Sequence, residues 1–111
     1  MEKQYRFDNR IYTVTNCTKD DIPFHIERVL SYWTSCNVDI EAQISALNQS
    51  VDESTAFKVL NDSGETEATI YCIRNGKYYQ SNMLWFNNKR MFAILCYYMR
   101  LTANMLIIKF K

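Results

Sequence analysis

Few residues of this chain have the type and spacing to do chemistry. The only histidine is His25. Its ring titrates near neutrality, so it is the natural candidate for a general base. It lies between Ile22 and Ile26, and no Ser/Asp or Cys/Asp pattern points to it, so packing on a helix surface or at a core edge is the plainer expectation. Four cysteines, Cys17, Cys36, Cys72 and Cys96, stand 19, 36 and 24 residues apart with no Cys-x-x-Cys pair. With one histidine and scattered cysteines, no metal site is expected, and the thiols should be free and mostly buried. Lys89 and Arg90 open a helical pattern, where two cations oppose the helix dipole. A bound phosphate would reward that placement; two solvated charges are the simpler account. Tyr78, Tyr79, Trp85, Phe86 and Phe92 interleave with Arg74, Lys77, Lys89 and Arg90. Aromatics beside cations suit single-stranded nucleic acid, where bases stack and phosphates pair. On a strand, however, about half of such side chains point inward. Tyr97 and Cys96 fall off the apolar face of their helix, and exposed aromatics are enriched at protein interfaces.

The elements that must position these groups can be read from pattern. The chain has 111 residues, 48% hydrophobic and 23% charged, which suits one domain over 1–111 with its own core. Net charge is +1, but residues 1–67 carry all 12 acids and 6 of the 13 basic residues, leaving 7 bases and no acid in 68–111. Such asymmetry predicts an anionic partner for the second half, or two halves packed together. No run reaches the ~18 apolar residues of a membrane span, and the polar N-terminus lacks a signal-peptide core, so a cytoplasmic protein is expected. Asn, Tyr, Ile and Lys are plentiful, and their AT-rich codons suggest an AT-rich genome such as a viral one. The location would then be host cytoplasm or virion.

Tyr5-Arg6-Phe7 and Ile11 to Thr15 alternate around Asp8-Asn9-Arg10 and predict a hairpin or one bent strand. Thr18 with Asp20 and Asp21 starts a helix whose apolar face is Ile22, Ile26, Val29, Leu30 and Trp33. Asn37 or Asp39 can cap a second helix along Ile40, Ile44, Leu47 and Val51. Residues 56–86 then read as an antiparallel meander of three strands. Its turns are Asn61-Asp62-Ser63-Gly64 and a type I′ pair, Asn75-Gly76. Asn88 to about Asn104 is helical, with Met91, Ile94, Leu95, Tyr98, Met99 and Thr102 on one face. Met105 to Phe110 reads as a buried strand, as one lying parallel to a neighbour would. The fold class is α+β in the order β-α-α-β-β-β-α-β. Helices pack on a central mixed or antiparallel sheet of about five strands.

That order and spacing resemble the GNAT acetyltransferase superfamily. Tyr12 to Thr15 followed by Thr18 to Asp21 looks like the family's first strand and capped helix. Phe57 to Glu65 looks like its second strand and turn. Met83 to Phe86 looks like its fourth strand, and 88–104 like its cofactor-side helix. The resemblance implies acetyl-CoA, its pyrophosphate held on backbone amides between that strand and helix, at Leu84, Phe86, Asn88, Lys89 and Arg90. The family signature there is Gln/Arg-x-x-Gly-x-Gly/Ala. This sequence has Asn87-Asn88-Lys89-Arg90-Met91-Phe92-Ala93, with neither glycine. Side chains then obstruct close approach of phosphate to backbone. No carboxylate follows Glu67, and the family's last helix and strands, with the tyrosine that protonates the leaving thiolate, have no counterpart after the final apolar run.

The sequence therefore predicts a GNAT-like fold carrying a non-catalytic interaction or structural module that binds a virion or host protein, or itself. It names no catalytic residue, metal or cofactor. The interface candidates are Tyr79, Trp85, Tyr97, Arg100 and Phe110, the last at a sheet edge open to pairing. An acyl-CoA-dependent N-acetyltransferase with an atypical phosphate loop is the alternative. Weak nucleic-acid binding by the basic half is a further one.

Overall fold

Asp8 and Asn9 both have positive φ, 50° and 62°. Two such residues make the turn whose twist matches paired strands, so the N-terminal segment is a hairpin and not one bent strand. Strands β1 (Lys3–Phe7) and β2 (Arg10–Asn16) pair antiparallel with Phe7 opposite Arg10. In this computed structural model the described residues are 2–75, 78–102 and 108–109; for 74, 75, 78–82, 99–102 and 108–109 this covers the backbone alone.

Thr18 donates its N–H to the Asp21 carboxylate at 2.8 Å, closing one 3-10 turn, Lys19–Asp21, before helix α1 (Ile22–Ser35). Pro23 sits in the first turn of α1, where its missing N–H is not needed. Asn37 ends this helix in the left-handed conformation, φ 57°, and the Val38 N–H returns to the Trp33 carbonyl at 3.2 Å. Asp39 starts α2 (Ile40–Asp52), accepting from the Ala42 N–H at 3.1 Å. Ser54, φ 59°, closes α2 the same way, with the Thr55 N–H on the Ser50 carbonyl at 2.9 Å.

The meander follows as β3 (Ala56–Leu60), β4 (Thr66–Asn75) and β5 (Tyr78–Phe86), then α3 (Lys89–Thr102) and β6 (Ile108–Lys109). The β3–β4 turn is tied by the Asn61 side chain, which accepts from the Ser63 and Glu65 N–H groups at 3.0 and 2.9 Å. Gly64 takes φ 82° there. Asn75, expected in the other meander turn, is itself paired with Tyr78. Residues 76 and 77 lie outside the described residues, as do Asn104 and the rest of the final apolar run apart from 108–109.

The sheet has six strands in the order β1-β2-β3-β4-β5-β6. Five are antiparallel; β6 pairs parallel with β5 at Tyr79–Ile108 and Gln80–Lys109. Splitting the N-terminal element accounts for the sixth strand. The fold is α+β, with helices on both faces. Strand alternation divides the core. Val14, Phe57, Val59, Ala68, Ile70 and Cys72 meet Met91, Ile94, Leu95 and Tyr98 of α3. On the other face Ala56, Tyr71 and Met83 meet Ile22, Trp33 and Leu47 of α1 and α2. The two halves of the chain are thus joined in one sheet, and Asp8 pairs with Arg90 across them.

Helix α1 is rolled from its expected orientation. Leu30 is 40% exposed, and His25 is fully buried. At about 100° per residue, both flank the stripe of Ile22, Val29 and Trp33, on opposite sides. The helix settles on the histidine side because Thr69 of β4 supplies a polar partner there.

Candidate functional site

Three places collect the chemistry-bearing residues. At the first, the His25 Nδ1 lies 2.8 Å from Thr69 Oγ1, and its ring packs edge-on against Tyr71 at 4.8 Å. Burial alone pushes its pKa down to about 4, so the ring is neutral at neutral pH. Its Nε2 is buried with no hydrogen-bond partner among the described residues. A base must reach its substrate's proton, and a fully buried imidazole does not. Nearby Cys17 is also buried, and burial, with the Asp21 carboxylate adding to it, pushes its thiol up to about 12. It is no nucleophile at neutral pH. All four thiols are free; Cys17 and Cys72 are buried, Cys96 is half-buried, and Cys36 is exposed at the C-terminus of α1. Among the described residues, no three His, Cys, Asp or Glu side chains gather as a metal site would need.

The second place is the junction of β5 and α3. Among the described residues, β6 pairs with β5 only at Tyr79 and Gln80, which leaves 81–86 without a partner on that side. Leu84 packs into the α3 core, and Phe86 stacks on Phe92 at 5.6 Å. Asn88 caps α3. Its Oδ1 accepts from the N–H groups of Arg90 and Met91 at 3.0 and 3.4 Å. Two of the amides at this helix start, those of Arg90 and Met91, are therefore already bonded by the chain's own side chain. Arg90 is drawn away to Asp8 and lies 5.5 Å over the Phe7 ring. Lys89 is exposed, with no ion pair among the described residues. This donor set fits an acetyl-CoA pyrophosphate poorly.

The third place joins α3 to β1. Tyr97 is 58% exposed and meets Tyr5 edge-on at 6.1 Å. Tyr5, Arg6, Phe7, Ala93, Ile94 and Tyr97 line an open, mostly apolar groove of about 280 Å³. Tyr5 and Phe7 are the residues that sequence reasoning missed. Their alternation marked a strand, but nothing local says which helix that strand will lie beside.

The structure does not gather the interface candidates into one patch. Trp85 lies on the opposite sheet face from Tyr97, half-buried, 5.4 Å from Phe24, with the Arg28 guanidinium 3.3 Å over Phe24 and 5.0 Å over Trp85. Tyr79 and Arg100 are described in backbone only, and Phe110 lies outside the described residues. Arg74 and Tyr78 likewise lack described side chains, and Lys77 lies outside, so the aromatic and basic strip is only partly placed. No described helix is long and apolar enough to cross a membrane.

No protein-family model matches this sequence, and no curated protein matches it. Among solved structures, a GNAT-family acetyltransferase from Staphylococcus aureus Mu50 superposes with a TM-score of 0.59 over 87% of this chain and 70% of that one, at 13% identity. At that identity the likeness is one of fold. The element order read from sequence, the sheet and this superposition agree: the chain has the architecture of the GNAT acetyltransferases.

Proposed function

We propose that this chain is a non-catalytic protein-interaction module on a GNAT-like fold. One observation carries the reading: an exposed aromatic, Tyr97, stands over an apolar groove that extends to the sheet edge. Exposed aromatics over a concave apolar surface are the usual anchors of a protein contact. The self-capped amides at Asn88 and the engagement of Arg90 by Asp8 support the absence of cofactor chemistry. The partner, a virion or host component on this reading, meets the α3 face and not the Trp85 face.

The alternative is an acyl-CoA-dependent N-acetyltransferase. The stretch 81–86 of β5, which has no strand partner on that side among the described residues, favours it, since a ligand can lie along such an edge. A thermal-shift titration with acetyl-CoA and CoA, at low and moderate salt, separates the two. A ligand at a hundred times its dissociation constant stabilises a fold by about 2.7 kcal/mol. The module reading expects no change in Tm at millimolar ligand. A saturable rise that survives moderate salt, and is weakened by Lys89→Ala or Arg90→Ala, would put the enzyme first.

A further inference from the structure

The outer edge of β1 sits between two grooves. Phe7 and Arg10 flank a two-residue turn and so form a hydrogen-bonded pair. Antiparallel alternation then turns the N–H and C=O groups of Lys3 and Tyr5 toward β2, and those of Gln4 and Arg6 away from it. Among the described residues nothing pairs with that outer side, since β1 is the first strand of the sheet. On the α3 side lies the groove of Tyr5, Phe7 and Tyr97. On the other side Glu2, Gln4, Ile11, Thr13, Leu60 and Asp62 line a second concavity of about 440 Å³.

The charge along this edge has one sign in excess. Lys3, Arg6 and Arg10 are exposed and have no carboxylate partner among the described residues. Glu2 is exposed beside them and Asp62 lines the second concavity, which leaves the three cations in excess by one, while Asp8 is taken by Arg90. A second copy of the chain would bring the same uncompensated cations against these, and cations on an edge strand are a known guard against edge-to-edge pairing. The chemistry that fits is complementary in charge and extended in shape.

We infer that β1 receives an extended, acidic segment of a partner protein as an added strand, with alternate apolar side chains entering the Tyr5, Phe7 and Tyr97 groove. The inference rests on the interaction reading above and names the partner's chemistry. Backbone bonds to Gln4 and Arg6 supply register. The alternating side chains supply choice, apolar toward α3 and carboxylate toward Arg6.

The test uses the full chain and a short capped peptide alternating Glu and Leu, with a Lys-for-Glu peptide as control. Amide spectra and hydrogen exchange are followed at millimolar peptide. The Glu peptide should slow exchange at Gln4 and Arg6 and leave Tyr5, already paired to β2, unchanged. The Lys peptide should slow exchange at none of the three. Gln4→Pro deletes one outward N–H while leaving the β1–β2 ladder intact. Arg6→Glu reverses a charge without touching the backbone and keeps the test decisive if the proline variant misfolds. Each should weaken the Glu peptide by at least about tenfold. Unchanged exchange at Gln4 and Arg6, equal binding of both peptides, or dimers formed through β1 would overturn strand addition and leave the interaction reading standing. Saturable acetyl-CoA binding would instead overturn that reading itself.

Discussion

Beneath α3 the sheet buries an apolar set; beneath α1 and α2 the same depth of burial takes in hydrogen-bonded polar groups. On the α3 side Val14, Val59, Ile70 and Leu95 are fully buried, and among the described residues no buried side chain there bears a charge. On the other side His25 and Thr69 are fully buried, and Ser50 and Thr55 nearly so. These groups answer to one another. Thr55 Oγ1 lies 3.1 Å from Ser50 Oγ and 2.7 Å from the Cys72 carbonyl, and Ser50 Oγ accepts from the Cys72 N–H at 3.0 Å. Cys72 lies opposite Thr55, just before β3 begins, and its N–H also donates to the Thr55 carbonyl at 3.0 Å. Thr55 and Ser50 thus extend the bonding of β4 past the end of β3 with their side chains. Burying a polar group costs stability unless it is bonded, so this face holds its chemistry-bearing residues as structure. The apolar face leaves its aromatic reach outside, at Tyr97 and Phe7. A reactive residue type is therefore a poor guide to the working surface of this molecule.

The comparison breaks most severely by truncation. Leu47 and Leu95 are both fully buried, one on each face. Leu47→Ala and Leu95→Ala should each cost about 2–5 kcal/mol in urea unfolding, as cavity-forming substitutions do. A large loss from one and almost none from the other would mean that the two faces unfold separately.

Acid should act on one face alone. The folded His25 value, about 4, lies below its ordinary 6.5, so the folded state binds fewer protons than the unfolded chain between those values. Its contribution is complete above pH 6.5 and is lost as pH falls toward 4, about 3 kcal/mol in all. His25→Gln should flatten that part of the stability profile. Parallel profiles for the two proteins across that window would show that His25 is not buried neutral.

Adjacent residues of β4 sharpen the contrast. Thr69→Val orphans the buried imidazole nitrogen and should cost about 1–3 kcal/mol. Ile70→Val, facing α3, should cost about 0.5–1.5 kcal/mol. Equal losses would remove the distinction between polar and apolar faces at this strand. The smallest effect is expected at Tyr97. Tyr97→Ala should change stability by less than about 0.5 kcal/mol, because the side chain is mostly in solvent. A loss of several times that size would make Tyr97 structural and weaken its part in a contact.

Much of the fold was legible from local signals. The stripe of Met91, Ile94, Leu95 and Tyr98 is buried as its spacing requires. Asp39 caps α2, and the Asn61 to Gly64 turn closes with its side-chain bonds. These features depend on residues within a few positions of one another. Leu30 and His25 were misjudged because the roll of α1 depends on Thr69, 44 residues beyond His25. The site was less legible still. Tyr97 was recognised by its departure from a helical face. Tyr5 and Phe7, its partners in the groove, were read only as strand residues, and Arg90 was read as a solvated charge, or a phosphate ligand on the acetyltransferase alternative, where Asp8 in fact holds it.

What the amino-acid sequence determined alone was the order of elements, their caps and turns, and which positions on each are apolar, since propensity, capping and periodicity act over a few residues. Tertiary structure decided which face of α1 turns inward, that Asn88 and Asp8 occupy the groups a phosphate would use, and that an N-terminal strand and the last helix share a groove. Those outcomes rest on contacts between residues tens of positions apart, where packing and polar satisfaction choose among arrangements that the local pattern leaves equally open.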